Sequence, residues 1–203
     1  MRGTALAIPL LLLVTACGAD TGIATGAARP AGGEGDVPIT PAAIAAVAVD
    51  HLPEGPSSME ATYTDEQHPK GYRGADFRYR AGAGEDGDLV RVTLTPHVDR
   101  NPCRPDFYDG CEELDAPDGA RMFLIWTEVV PEEDPGSVVV LLQRPHEDVR
   151  IMSAGRGIEG DPRDQDLPVA VSAMEDLVRD DRLHLMATQE VVDAGEDLSD
   201  WGG

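Results

Sequence analysis

Two apolar runs limit what this chain can become. Residues 121–130 (RMFLIWTEVV) and 137–143 (SVVVLLQ) carry hydrophobic side chains at nearly every position, and Pro131 and Gly136 bound the turn between them. Both runs are too short to span a bilayer and are rich in β-branched and large aliphatic residues. They predict central strands of a sheet, joined by a short turn.

The rest of the pattern builds outward from this pair. Residues 75–80 alternate, with Phe77 and Tyr79 opposite Arg78 and Arg80, and residues 89–95 place Val90, Val92 and Leu94 on one face. Such alternation marks strands with one face on the core. The glycine-rich stretch 81–88 is the turn between them, and weaker strands are expected at 60–64 and 149–153. Helices bracket the sheet. Thr40-Pro41 is an N-cap followed by proline at the first helical position; Ile44, Val47, Ala48 and Leu52 then recur at helical spacing until Pro53 and Gly55 stop the run. Residues 167–180 repeat the spacing with Val171, Met174, Leu177 and Val178, and 185–194 predicts a short last helix capped by Thr188 and ended by Gly195. Helix, strands, strands, helix with short turns predicts an α+β fold. The expectation is a single antiparallel sheet of about five or six strands, with the N- and C-terminal helices packed on one face. This domain runs over residues 40–198, with a frayed tail at 199–203.

Composition supports one folded domain and narrows its partners. Hydrophobic residues make up 41% and charged residues 27% of the chain, which fits a globular protein. The formal net charge is −22, a field that repels phosphate backbones, so no nucleic-acid partner is expected.

The N-terminus reads as an address. Arg2 supplies a short positive start, and residues 5–14 (ALAIPLLLLV) form an apolar segment. At about 1.5 Å per residue, such a helix covers roughly half of a hydrocarbon core about 30 Å thick, as a signal peptide does. Val14-Thr15-Ala16-Cys17 follows directly and resembles the lipobox of bacterial lipoproteins, with an aliphatic residue, two small residues and then the cysteine. The overall composition is similar to that of actinobacterial lipoproteins. The resemblance implies that residues 1–16 are removed as a signal peptide and that Cys17 carries the acyl chains, palmitate among them. It places the protein at the extracytoplasmic face of the cell membrane. Two acyl chains hold stably where one is marginal, each buried methylene contributing about 0.8 kcal/mol. Residues 17–39, rich in Gly, Ala, Pro and Thr, then form a flexible tether.

Export also decides the remaining cysteines. In an oxidising compartment Cys103 and Cys111, flanking a turn-rich loop, are expected to pair as a disulfide. The spacing does not fit a zinc knuckle.

Sites of chemistry are sparse. No nucleophile elbow, phosphate loop, dinucleotide fingerprint or HExxH motif is present, and the five histidines are scattered. Two acidic loops, one holding Asp106 and Asp109 and the other Asp161, Asp164 and Asp166, contain the oxygen ligands that calcium takes in irregular geometry, without EF-hand spacing. Arg73, Arg78 and Arg80, interleaved with Tyr72, Phe77 and Tyr79, offer a face for an anionic ligand or partner. No other cofactor is indicated. These features together predict a lipid-anchored envelope domain that binds another envelope component without catalysis. The alternatives are an extracytoplasmic hydrolase using loop carboxylates and a small-ligand or calcium-binding module.

Overall fold

A computed structural model describes residues 36–52, 55–62, 71–79, 87–117, 119–199 and 201–202. The signal segment, Cys17 and most of the tether lie outside these residues, as does Arg80.

The chain is α+β and its main sheet is antiparallel throughout. In chain order the elements are β1 (Val37–Pro38), α1 (Pro41–Val49), β2 (Ser58–Ala61), β3 (Arg73–Tyr79), β4 (Asp88–Pro96), β5 (Gly110–Leu114), β6 (Arg121–Thr127), β7 (Ser137–Gln143), β8 (Glu147–Ala154), α2 (Val171–Val178), β9 (Met186–Ala187) and α3 (Gln189–Glu196). Seven strands form one sheet in the order β2-β3-β4-β8-β7-β6-β5, and β1 pairs with β9 in a separate two-stranded ladder.

The two apolar runs are β6 and β7, neighbours inside the sheet. Their side chains alternate between two covered faces, which is why neither run shows a polar side. Val138, Val140 and Leu142 enter the main core with Met122 and Leu124; Val139 and Leu141 join Phe123 and Ile125 in a second cluster on the opposite face. One lateral row of the main core reads Ala75, Val92, Ile151, Val140, Leu124 across five successive strands. The helices cover this face, with α1 lying against β2, β3 and β4 and α2 against β7 and β8. The second cluster is capped by Cys103 and Tyr108 of the loop before β5, by Cys111 of β5 itself and by Met152 of β8.

Local chemistry opens α1 and α3 at threonine caps, whereas α2, expected from residue 167, begins only at Val171 and has no side-chain cap. Thr40 Oγ1 accepts a hydrogen bond from Ala43 N at 3.1 Å, with Pro41 at the first helical position. Thr188 Oγ1 accepts from Val191 N at 3.5 Å to open α3. α1 carries little but Ala, Val and Ile and is buried on most sides, between the sheet below and α3 above.

Further features differ from expectation, the first being the end of the expected tether, where Val37–Pro38 form β1 and Ile39 is buried in the core. The sheet has seven strands instead of five or six, because β5 lies within the region read as a cysteine loop. As an edge strand with the sequence GCEEL, it offers no run of core side chains to betray it. Residues 186–187 are strand and not the start of the last helix, since they pair with β1. Gly195 lies within α3, not beyond it. At the other end of the chain, Trp201 bridges Met59 in parallel, and Gly202 N donates to Met59 O at 2.9 Å.

Candidate functional site

The segment after α2 gathers the densest polar network among the described residues. Asp180 closes a tight turn on Arg182, accepting from its backbone N at 2.9 Å and from its Nε at 3.0 Å and Nη2 at 2.7 Å. The same carboxylate meets His51 Nε2 at 2.8 Å, although the two residues are 129 positions apart. Arg182 reaches on to Asp50 Oδ2 at 2.7 Å. The end of α1 is thereby pinned to the end of α2. Burial pushes the Asp180 carboxyl upward, but the hydrogen bonds from Arg182 and His51 outweigh it and hold it well below the usual carboxylate range.

A second cluster sits beside the first. Arg144, after β7, donates to Glu147 Oε1 at 3.0 Å and to the carbonyls of Val178 and Asp180 at 3.4 Å each, and also to Leu183 O. A cation on the last carbonyls of α2 satisfies groups that the helix leaves open. Glu147 accepts from Leu185 N at 2.7 Å and pairs with His184 Nδ1. Burial opposes its ionisation, yet His184, the Leu185 amide and Arg144 together lower its pKa. Next along β8, Asp148 meets His97 Nδ1 at 2.7 Å. Here burial dominates, and the Asp148 pKa is raised. Adjacent positions on a strand face opposite sides, so the Glu147 and Asp148 carboxyls do not converge as an acid–base pair.

Above these clusters lies a groove of about 570 Å³ between α1 and α3. Its apolar wall comes from Ala46 of α1, with Val47 buried behind it, and from Val191, Ala194 and Leu198 on and after α3. Asp50, Glu190 and Asp197 supply carboxylates, and Thr188 and Ser199 hydroxyls. A smaller groove of about 320 Å³ adjoins it, sharing Arg182, Thr188 and Val191 and adding Asp36, Asp181, His184, Met186 and Ala187. The size and mixed lining fit a short peptide or small organic ligand.

The residues singled out from sequence fall elsewhere. Cys103 and Cys111 stand at disulfide distance, their Cα atoms 5.5 Å apart. Asp109 ties their loop to the sheet, its Oδ2 accepting from Glu128 N at 2.7 Å, while Asp106 is exposed. Asp161 caps the 3-10 turn Pro162–Asp164, accepting from Arg163 N at 2.9 Å; Asp164 is exposed, and Asp166 pairs with Arg156 at 2.7 Å. Arg163 links the two acidic loops, pairing with Asp161 at 3.4 Å and with Glu112 of β5 at 2.9 Å. Among the described residues no group of three or more His, Cys, Asp or Glu side chains is placed to hold a metal ion. Arg73 and Arg78, five positions apart on an unbroken strand, fall on opposite faces of β3, and Arg80 lies outside the described residues.

Sequence reasoning passed over Asp50, Arg182, Glu190 and Asp197. The charged run Asp180-Asp181-Arg182 between two helices was the available signal, but nothing in the sequence ties it to Asp50. No family model, curated protein or solved structure matches the chain.

Proposed function

We propose that this chain is a lipid-anchored protein of the cell envelope, held at the extracytoplasmic face of the membrane through Cys17, whose folded domain binds another envelope component without catalysis. The groove between α1 and α3 is the binding site in this reading, and its volume and mixed lining are the observation that carries it. The anchor rests on the motif Val14-Thr15-Ala16-Cys17 behind its apolar segment. Among the described residues no helix is long and apolar enough to cross a membrane, so the domain itself contributes no helical span there. The hydrolase and calcium readings have less behind them, because Asp109, Asp161 and Asp166 already hold backbone amides or arginines.

Two experiments in the native cell test this reading. A photo-crosslinking residue at Ala194, exposed on the groove wall, is expected to trap a defined partner. A crosslinker at exposed Glu159, outside the groove, is expected to trap none. Metabolic labelling with a palmitate analogue should mark the wild type and not Cys17→Ser. An unlabelled wild type sinks the anchor, and equal capture from both positions sinks the groove.

A further inference from the structure

We infer that the groove between α1 and α3 takes a basic peptide segment of a partner protein, one in which arginine or lysine alternates with apolar side chains. The inference rests on the groove being the binding site and adds what it binds.

Charge balance carries the argument. Asp36, Asp50, Asp181, Glu190 and Asp197 line the two adjoining grooves, against Arg182 and His184. Arg182 is already matched by Asp180 and Asp50, at 2.7 Å each. Among the described residues no cation pairs with Asp181, Glu190 or Asp197. The concavity therefore presents Asp181, Glu190 and Asp197 to solvent without a matching cation, and a concave, partly apolar wall strengthens the negative field there. An anionic ligand, whether phosphate, nucleic acid or acidic lipid, meets the wrong sign. A cation meets the matching sign.

The apolar wall selects among cations. Ala46, Val191, Ala194 and Leu198 form a surface that a bare metal ion leaves wet and that the short methylene segments of a polyamine cover only in part. Aliphatic side chains between the basic ones cover it and remove that surface from water. The two grooves meet at Arg182, Thr188 and Val191, so an extended segment lies along both, with its charges toward the acidic rim.

The test titrates the purified full chain, in non-ionic detergent with matched blanks, with four probes. These are a heptapeptide alternating arginine and valine, its glutamate-for-arginine counterpart, its glycine-for-valine counterpart, and spermidine. The arginine–valine peptide is expected to bind one to one, at least about tenfold tighter than the glycine form or spermidine. Its affinity should fall about tenfold between low and high salt, as for charges partly open to solvent. Glu190→Lys combined with Asp197→Lys should weaken it about tenfold with the melting temperature little changed, since both residues are exposed. Ala194→Trp, which fills the groove without altering its charge, should abolish binding.

Spermidine or the glycine peptide binding as tightly overturns the peptide assignment. So does arginine–valine binding that ignores both variants, which is attraction to the acidic surface at large. If the glutamate peptide binds and Ala194→Trp removes it, the groove stands and its cation preference falls. If no probe binds, the inference falls; a crosslink from position 194 in cells then shows that the groove itself survives.

Discussion

Gly195 of α3 rests directly on the backbone of Ala43 in α1. A β-carbon at position 195 would overlap the Ala43 nitrogen and come within 2.6 Å of the Ala42 carbonyl carbon and 2.7 Å of the Ala43 Cα. Backbone cannot swing aside as a flexible side chain can. Gly195→Ala gains roughly 1 kcal/mol of helix propensity but forces the two helices apart, and overpacking of this kind costs about 1–3 kcal/mol or more. The expected outcome is a net loss of stability in urea denaturation, with affinity for the proposed basic peptide changed because both groove walls move.

Opposed carboxylates give the domain a pH dependence with two signs. Glu147 is held below its ordinary value of 4.5, so its contribution is complete above that pH and is lost as the pH falls through the depressed folded value. Glu147→Gln should be less stable than wild type at pH 7, with the gap closing below pH 4.5. Asp148 is raised above its ordinary 3.8 by burial, so its stabilising contribution is complete below that pH and is lost as the pH rises through the folded value. Asp148→Asn, which keeps an acceptor for His97, should therefore be the more stable at pH 7 and converge on wild type below 3.8. Urea midpoints across the acid range check both, and parallel curves would refute them.

The Tyr79 hydroxyl is buried without a hydrogen-bond partner among the described residues, and burial pushes its pKa well above the ordinary tyrosine value. Tyr79→Phe removes an unsatisfied polar group and leaves the ring in the core. A stabilisation of about 1 kcal/mol is expected, against the usual loss when a tyrosine makes its hydrogen bond. Chemical denaturation of the two proteins decides the sign.

Closure of the loop between Cys103 and Cys111, eight positions apart, should contribute about 2.5 kcal/mol in the chain-entropy model. The loop also covers Phe123, Ile125, Val139 and Leu141. Cys103→Ser with Cys111→Ser should lower stability by about that amount and raise binding of a hydrophobic dye. A loss of stability without dye binding would separate the entropic role from the covering one.

What the sequence disclosed and what it hid follow one physical rule. Elements with a strong local pattern were legible: the Thr40-Pro41 start of α1, the alternation in β3 and β4, and the apolar runs of β6 and β7. Elements defined by a distant partner were not. β5 shows itself only by pairing with β6, and β9 only by pairing with β1. Gly195 has the same composition signal whether it stops a helix or lets two helices touch, and the difference lies at Ala43. The groove needed α1 and α3 side by side, so its carboxylates looked like ordinary surface charge. The acidic loops, by contrast, drew notice by local density, and much of that density serves capping and pairing with arginine.

The two-residue ladder of β1 with β9 has a mechanical consequence. Any tension drawn on the chain through Asp36 reaches Val37 and Pro38 first, and their partners Ala187 and Met186 belong to the wall of the smaller groove. Proline offers no backbone donor, so few bonds resist the pull beyond Ile39 N to Leu185 O at 3.1 Å. Neither β1 nor β9 belongs to the seven-stranded sheet. In the proposed anchored form, a pull on the tether would reach the wall of the smaller groove first, so that attachment and binding would share one joint.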